Sequence, residues 1–306
     1  MEKLVPAKDR LLKSEKNWMN GEVRGKILVF LAAIIMIAAT ISITIFIGQK
    51  GLQAFLKNGV SLIEFLTSKV WNPTNQQNPA YGALPFIFGS FAVTFLSALI
   101  AAPLGIGAAI FMTEIAPSWG RKVLQPVIEL LVGIPSVVYG FIGLTVLVPF
   151  IRNHVGGLGF SLLSGMIVLS IMILPTITTI ATDAMASLPS ALREGSYALG
   201  ATRWQTIRKV LIPAATPSLL TAIVLGMARA FGEALAVQMV IGNVSKFPHS
   251  ITDASATLTT IITLNMGNTV FGSVENNVLW SMGLILLIIS FIFILIIRYL
   301  SARRKV

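Results

Sequence analysis

Apolar residues do not alternate with polar ones along this chain but run in long blocks separated by short polar stretches. Six blocks, residues 27–47, 86–113, 123–151, 161–182, 217–241 and 278–300, reach the ~20 residues that a helix needs to cross the hydrocarbon layer. Because the blocks are continuous, without the short alternating segments of membrane strands, helices are expected and a barrel is not. The first block exceeds a signal-peptide core, and no small-residue cleavage site with a soluble domain follows it, so it is expected to remain as a span. The predicted fold class is an all-α integral membrane protein with six transmembrane helices.

Composition agrees. Of 306 residues, 55% are hydrophobic and only 11% charged, against about 25% in soluble domains. With no cysteine and two histidines, disulfides, thiolate sites, cysteine nucleophiles and histidine-rich metal clusters are excluded. A formal charge of +11 would suggest nucleic acid in a soluble protein, but here the basic residues sort by side. With the N-terminus in the cytoplasm, seventeen Lys and Arg fall on that side and five (Lys50, Lys57, Lys69, Arg152, Lys246) on the other. That bias predicts cytoplasmic termini, basic tails that contact lipid, and no need for a nucleic-acid partner. The expected organisation is a tail at 1–26, a first helix and outward loop at 27–85, a core at 86–300 and a tail at 301–306. The outward segment 242–277 is expected to be half-embedded or packed against the mouth of the bundle. Gly105, Gly107, Gly133, Gly140 and Gly143 are read as sites of close helix packing, and Pro103, Pro135 and Pro175 as sites where a span can kink.

The loop between spans four and five, residues 188–213, reads LPSALREGSYALGATRWQTIRKVLIP. Pro189 suits a first helical turn with Ser187 as its N-cap, Gly200 breaks that helix, and a second helix is expected over 202–211. The segment is too amphipathic for a passive connector. It fits either a docking element or a helical pair lying on the membrane surface.

Glu194, Gly195 and Ser196, then Gly200 after three residues and Ile212-Pro213 after a further stretch, resemble the coupling loop of ABC importer permeases, E-A-A-x3-G-x9-I-x-L-P. Gly and Ser replace the two Ala. In that family the loop's short helix sits in a groove of a cytoplasmic ATPase. Two further stretches, ELLVGIPSVVYGFIGL at 129–144 and ARAFGEALAVQMVIGN at 228–243, resemble the phosphate-specific importer branch, the Pst system, in its PstC-type subunit. Ala234 and Leu235 depart from the Thr-Met of that pattern. The resemblance covers about residues 86–300 and implies a type I (MetI-like) core in a bacterial or archaeal cytoplasmic membrane. It also implies four partners: a homologous PstA-type permease, a dimeric PstB-type ATPase that carries ATP and Mg2+, an extracytoplasmic PstS-type phosphate-binding protein, and membrane lipid. The chain itself shows no G-x4-G-K-[ST] loop and is expected to hold no cofactor and hydrolyse no ATP.

Arg229 and Glu233 lie inside the fifth apolar block. A charge at mid-bilayer costs at least ~2.5–3.5 kcal/mol on insertion scales, so each must face a partner or water. On one continuous helix, residues four apart share a face and can pair. In an anion importer the guanidinium would bind phosphate oxygens through paired hydrogen bonds, with Glu233 holding it between cycles. A neutralised structural pair is the alternative. Glu129 and Asp183, near the cytoplasmic ends of spans three and four, are secondary candidates that can equally be interfacial pairing groups. The expected function is a permease subunit of an ATP-driven phosphate importer. An ATP-independent anion transporter or channel would use Arg229 and Glu233 as well, and a membrane enzyme lacks any nucleophile, base or metal constellation.

Overall fold

The computed structural model describes residues 7–75 and 77–302, without the side chains of 7–22, 118, 301 and 302. Lys3, Arg303, Arg304 and Lys305 lie outside the described residues. Among the described residues, six helices are long and apolar enough to cross a membrane: Val23–Leu56, Leu84–Ile115, Ser136–His154, Leu162–Ala186, Arg203–Phe231 and Val274–Leu300. The chain divides into two units, Met1–Gln49 and Lys50–Val306. The first holds most of helix α1 (Ala7–Leu56), which continues past both ends of the expected span. Its apolar side chains, such as Leu28, Phe30 and Ile35, are exposed, as suits a helix whose solvent is lipid.

In the second unit a short helix α2 (Leu62–Thr67) and a two-residue hairpin, β1 (Trp71–Asn72) against β2 (Ala80–Tyr81), lead into α3 (Leu84–Ile110). α3 ends in a π turn at Phe111–Ile115. It packs along α7 (Leu162–Ala186). Small residues let the two backbones approach: Ser97 Oγ donates to Met166 O at 3.0 Å, and Ser170 Oγ donates to Ser97 O at 3.2 Å. Gly105 sits at the same crossing, where an added Cβ would lie 3.0 Å from Ile177 Cγ2.

The third span differs from its expectation of one run over 123–151. Pro135 has no N–H and crowds the carbonyl four residues earlier, and it holds Ile134 in extended conformation at ψ 127°. The segment therefore splits into α4 (Ser118–Gly133), which falls outside the candidate spans, and α5 (Ser136–Ile142). α5 continues through a π turn at Gly143–Leu147 into α6 (Val148–His154). The Tyr139 hydroxyl donates to Leu131 O at 2.8 Å, satisfying a carbonyl orphaned by the break.

The loop after α7 folds as α8 (Ser190–Ala198) and α9 (Arg203–Thr206). α9 is no separate second helix, as expected over 202–211, but runs through a π turn at Ile207–Leu211 into α10 (Ile212–Phe231). Thr202 starts it with a capping box to Gln205. Ser187 is not the expected N-cap either; it closes α7, and Pro189 caps α8.

The fifth apolar block also breaks. α10 stops at Phe231 with Gly232 as its C-cap, and a single turn, α11 (Leu235–Gln238), follows. Glu233 competes with helical continuation, since its Oε1 accepts the Ala236 N–H at 3.1 Å while its carbonyl accepts from Thr259 Oγ1 at 2.8 Å. The segment after α11 packs into the bundle as expected. It carries α12 (Leu258–Asn265), with Leu258 and Thr260 fully buried and the Leu258 N–H bonded to Ser90 Oγ at 2.9 Å. α13 (Val274–Ala302) ends the described chain.

Candidate functional site

The motif-bearing stretches at 129–144 and 228–243, remote in sequence, meet where α5 packs on α11. An added Cβ on Gly140 would lie 2.8 Å from Ala236 Cα, and one on Gly143 would lie 2.8 Å from Val240 Cγ1. These glycines pack closely, as expected; Gly107 and Gly133 face open space and do not. Three buried oxygens nearby, Gln238 Oε1, Asn243 Oδ1 and Ser255 Oγ, have no hydrogen-bond partner.

The break in the fifth block separates Arg229 from Glu233. Arg229 lies in the last turn of α10, half-buried, and its Nη1 donates to Thr176 Oγ1 on α7 at 2.7 Å. Glu233, past the C-cap, turns to the first turn of α11. It borders a gap of about 10 Å3, with Ser90, Thr94, Thr257 and Thr259 around it, which is about one water molecule in size. The expected ion pair on a shared helical face is therefore absent: the helix ends between the two residues, and each side chain bonds another element. Thr176, which orients the guanidinium, was not anticipated. It follows Pro175 within α7.

In the 188–213 loop, Glu194 and Gly195 are exposed on α8, beside Tyr197 (46% exposed) and Leu199 (90%). Ser196 faces inward, where its Oγ shares a hydrogen bond with Thr206 Oγ1 at 2.9 Å and ties α8 to α9. Gly200 takes φ +79°, a left-handed conformation that only residues without a Cβ adopt cheaply, so it makes the corner between them. Ile212 is half-buried and Pro213 exposed in the first turn of α10.

Two residues that sequence reading passed over anchor this loop. Glu114, in the π turn that ends α3, is 6% exposed and ion-paired with Arg193 of α8: Arg193 Nη2 lies 2.5 Å from Oε1, and Nε lies 3.2 Å from each carboxylate oxygen. The hydrogen bond to Glu114 holds the guanidinium pKa above its usual value. The available signal was a lone acid at the end of an apolar block, which needs a cation. Glu129 and Asp183, placed on separate spans by the sequence, line one open cleft of about 110 Å3 between α4 and α7, together with Arg121. Glu129 Oε1 accepts from Gln125 Nε2 at 3.0 Å.

Comparison with known proteins agrees with this architecture. The family model described as binding-protein-dependent transport system inner membrane component matches residues 101–306. A probable ABC transporter permease protein, YqgH of Bacillus subtilis, is 74% identical over 299 residues, 97% of this chain and 96% of that one. The phosphate transport system permease protein PstC of Mesorhizobium japonicum is 36% identical over 290 residues, 87% of this chain and 88% of its own. Among solved structures, a chain of the MetNI methionine ABC transporter superposes with a TM-score of 0.54 at 22% identity, covering 70% of this chain and 94% of that chain, a likeness of fold. With six apolar helices and this match over most of its length, the chain belongs to the family of binding-protein-dependent transport system inner membrane components, as a multi-pass ABC transporter permease of the cytoplasmic membrane.

Proposed function

We propose that this permease carries inorganic phosphate into the cell as the PstC-type subunit of an ATP-driven importer. The observation that carries the reading is Arg229. This half-buried guanidinium within a membrane-crossing helix is oriented by one hydroxyl, in a chain that is 36% identical to a phosphate transport system permease. Thr176 engages Nη1, which leaves Nε and Nη2 as the planar fork that binds two oxygens of a phosphate. Glu233 is tied to the first turn of α11 and does not occupy that fork. Glu129 and Asp183 are secondary candidates for the cleft at the loop-bearing end of the path.

The loop-bearing end and both termini are proposed to face the cytoplasm. A dimeric PstB-type ATPase, holding ATP and Mg2+, would dock on α8 at the exposed Glu194 and Gly195, with the inward-facing Ser196 bracing α8 from behind, Gly200 setting the corner and Ile212-Pro213 joining it to α10. Closure on ATP would open the path to a PstS-type binding protein, and hydrolysis would reset it. A homologous PstA-type permease would complete the path. The test is uptake of labelled phosphate by vesicles carrying this chain with and without the second permease, ATPase and binding protein. Uptake that needs all four and ATP supports the reading; ATP-independent uptake by this chain alone, as in a secondary transporter or channel, would overturn it.

A further inference from the structure

The guanidinium of Arg193 joins three elements at once. Besides its two-sided contact with Glu114 at the end of α3, Nη2 donates to Met185 O in the last turn of α7 at 3.2 Å, and Nη1 donates to Leu188 O at 3.3 Å. Met185 lies in the last turn of α7, where C=O groups lack the usual partner four residues on, and Leu188 lies in the turn between α7 and α8. On its other flank α8 is tied by the buried Ser196–Thr206 hydrogen bond to the residue that opens the π turn at Ile207–Leu211. Both anchors of α8 thus sit in or beside π turns of membrane-crossing helices, Glu114 in one and Thr206 at the start of the other. Such turns interrupt the regular ladder and recur where helices must adjust. Arg193 precedes Glu194 in the chain, so the pinned side chain and the exposed residue are neighbours on one short helix.

We propose that Glu114 and Arg193 are positioning residues that make α8 a stiff arm against the ends of α3 and α7, so that displacement of α8 is delivered to both core helices. This rests on α8 being the ATPase-docking element. A forked cation holding a carboxylate and two carbonyls fixes both the place and the rotation of α8, which an ammonium or a neutral amide cannot do. Without it, α8 can move while α3 and α7 stay.

The experiment uses the full transporter and reads three quantities: ATPase co-purification, ATP hydrolysis, and phosphate moved per ATP. In Glu114→Gln and Arg193→Gln, the ATPase should remain bound and ATP hydrolysis should persist. Phosphate moved per ATP should fall roughly 2- to 30-fold, the range seen when residues that carry coupling are removed. Arg193→Lys should lie between, because it keeps the charge toward Glu114 but loses the fork. If a single variant fails to accumulate, the double Glu114→Leu/Arg193→Met decides, since apolar replacement of both members of a buried pair is commonly tolerated. It should accumulate and remain uncoupled. Wild-type phosphate per ATP in an accumulated variant, or loss of the ATPase from the complex, would overturn the proposal. Failure of the ATPase to bind the unmodified chain would instead overturn the docking reading beneath it.

Discussion

Arg229 is held by Thr176 at 2.7 Å and makes no ion pair with Glu233, although the two charges stand four residues apart in the same apolar block. The hydroxyl therefore sets where the guanidinium points. Thr176→Val keeps the shape of the side chain and removes the acceptor. Freeing a long side chain costs about 0.5–1.5 kcal/mol when it must be ordered again on binding. The apparent affinity of phosphate uptake should fall roughly two- to tenfold, and Thr176→Ser should restore it. Initial uptake rates across phosphate concentrations check this; an unchanged Thr176→Val would remove Thr176 from the site.

Because Arg229 and Glu233 bond different elements, their stability effects should be independent. Arg229→Gln, Glu233→Gln and the double variant should give thermal destabilisations that add within about 0.3–0.5 kcal/mol in detergent. A coupling well above that would mean that the two side chains do form a pair.

What the sequence shows and hides follows from these particulars. Long apolar blocks made the six crossings legible, because a span is dictated by length and hydropathy alone. The interruption at Ile134-Pro135 was legible only as a kink, and the stop at Gly232 was hidden, for different reasons. Pro is tolerated within membrane helices, as at Pro175 and Pro217 here, so Pro135 gave no unique signal. The stop at Gly232 depends on Glu233 bonding Ala236 N and Thr259 Oγ1, a tertiary arrangement that spacing does not reveal. The loop at 188–213 was legible in its glycine corner, whereas the Glu114–Arg193 pair joins residues 79 positions apart. A lone acid ending an apolar block announces the need for a cation, but no local pattern says which one.

The corner at Gly200 has open space around it but a positive φ. Gly200→Leu should therefore act through backbone strain of about 1–2 kcal/mol and not through a clash. Phosphate moved per ATP should drop while the protein still inserts, and Gly200→Asn, which tolerates the left-handed region better, should do less harm. Equal coupling in all three proteins would detach the corner from the power stroke.

Orientation rests on the distribution of basic residues. A reporter active only in the cytoplasm should give signal when fused after Arg24, Lys122 or Lys209, and none near Asn75 or Asn268. The reverse at any one position would place that loop on the other side and change the number of crossings before it.

The most direct test of phosphate import through this chain is ATP-driven uptake of labelled phosphate by the reconstituted transporter carrying Arg229→Gln, set beside the unmodified protein at equal membrane levels. The expected result is ATP hydrolysis that continues and phosphate accumulation reduced at least about a hundredfold, since a charge-assisted bidentate contact of roughly 3 kcal/mol is removed. Phosphate accumulation at the unmodified rate in the Arg229→Gln protein would contradict the account.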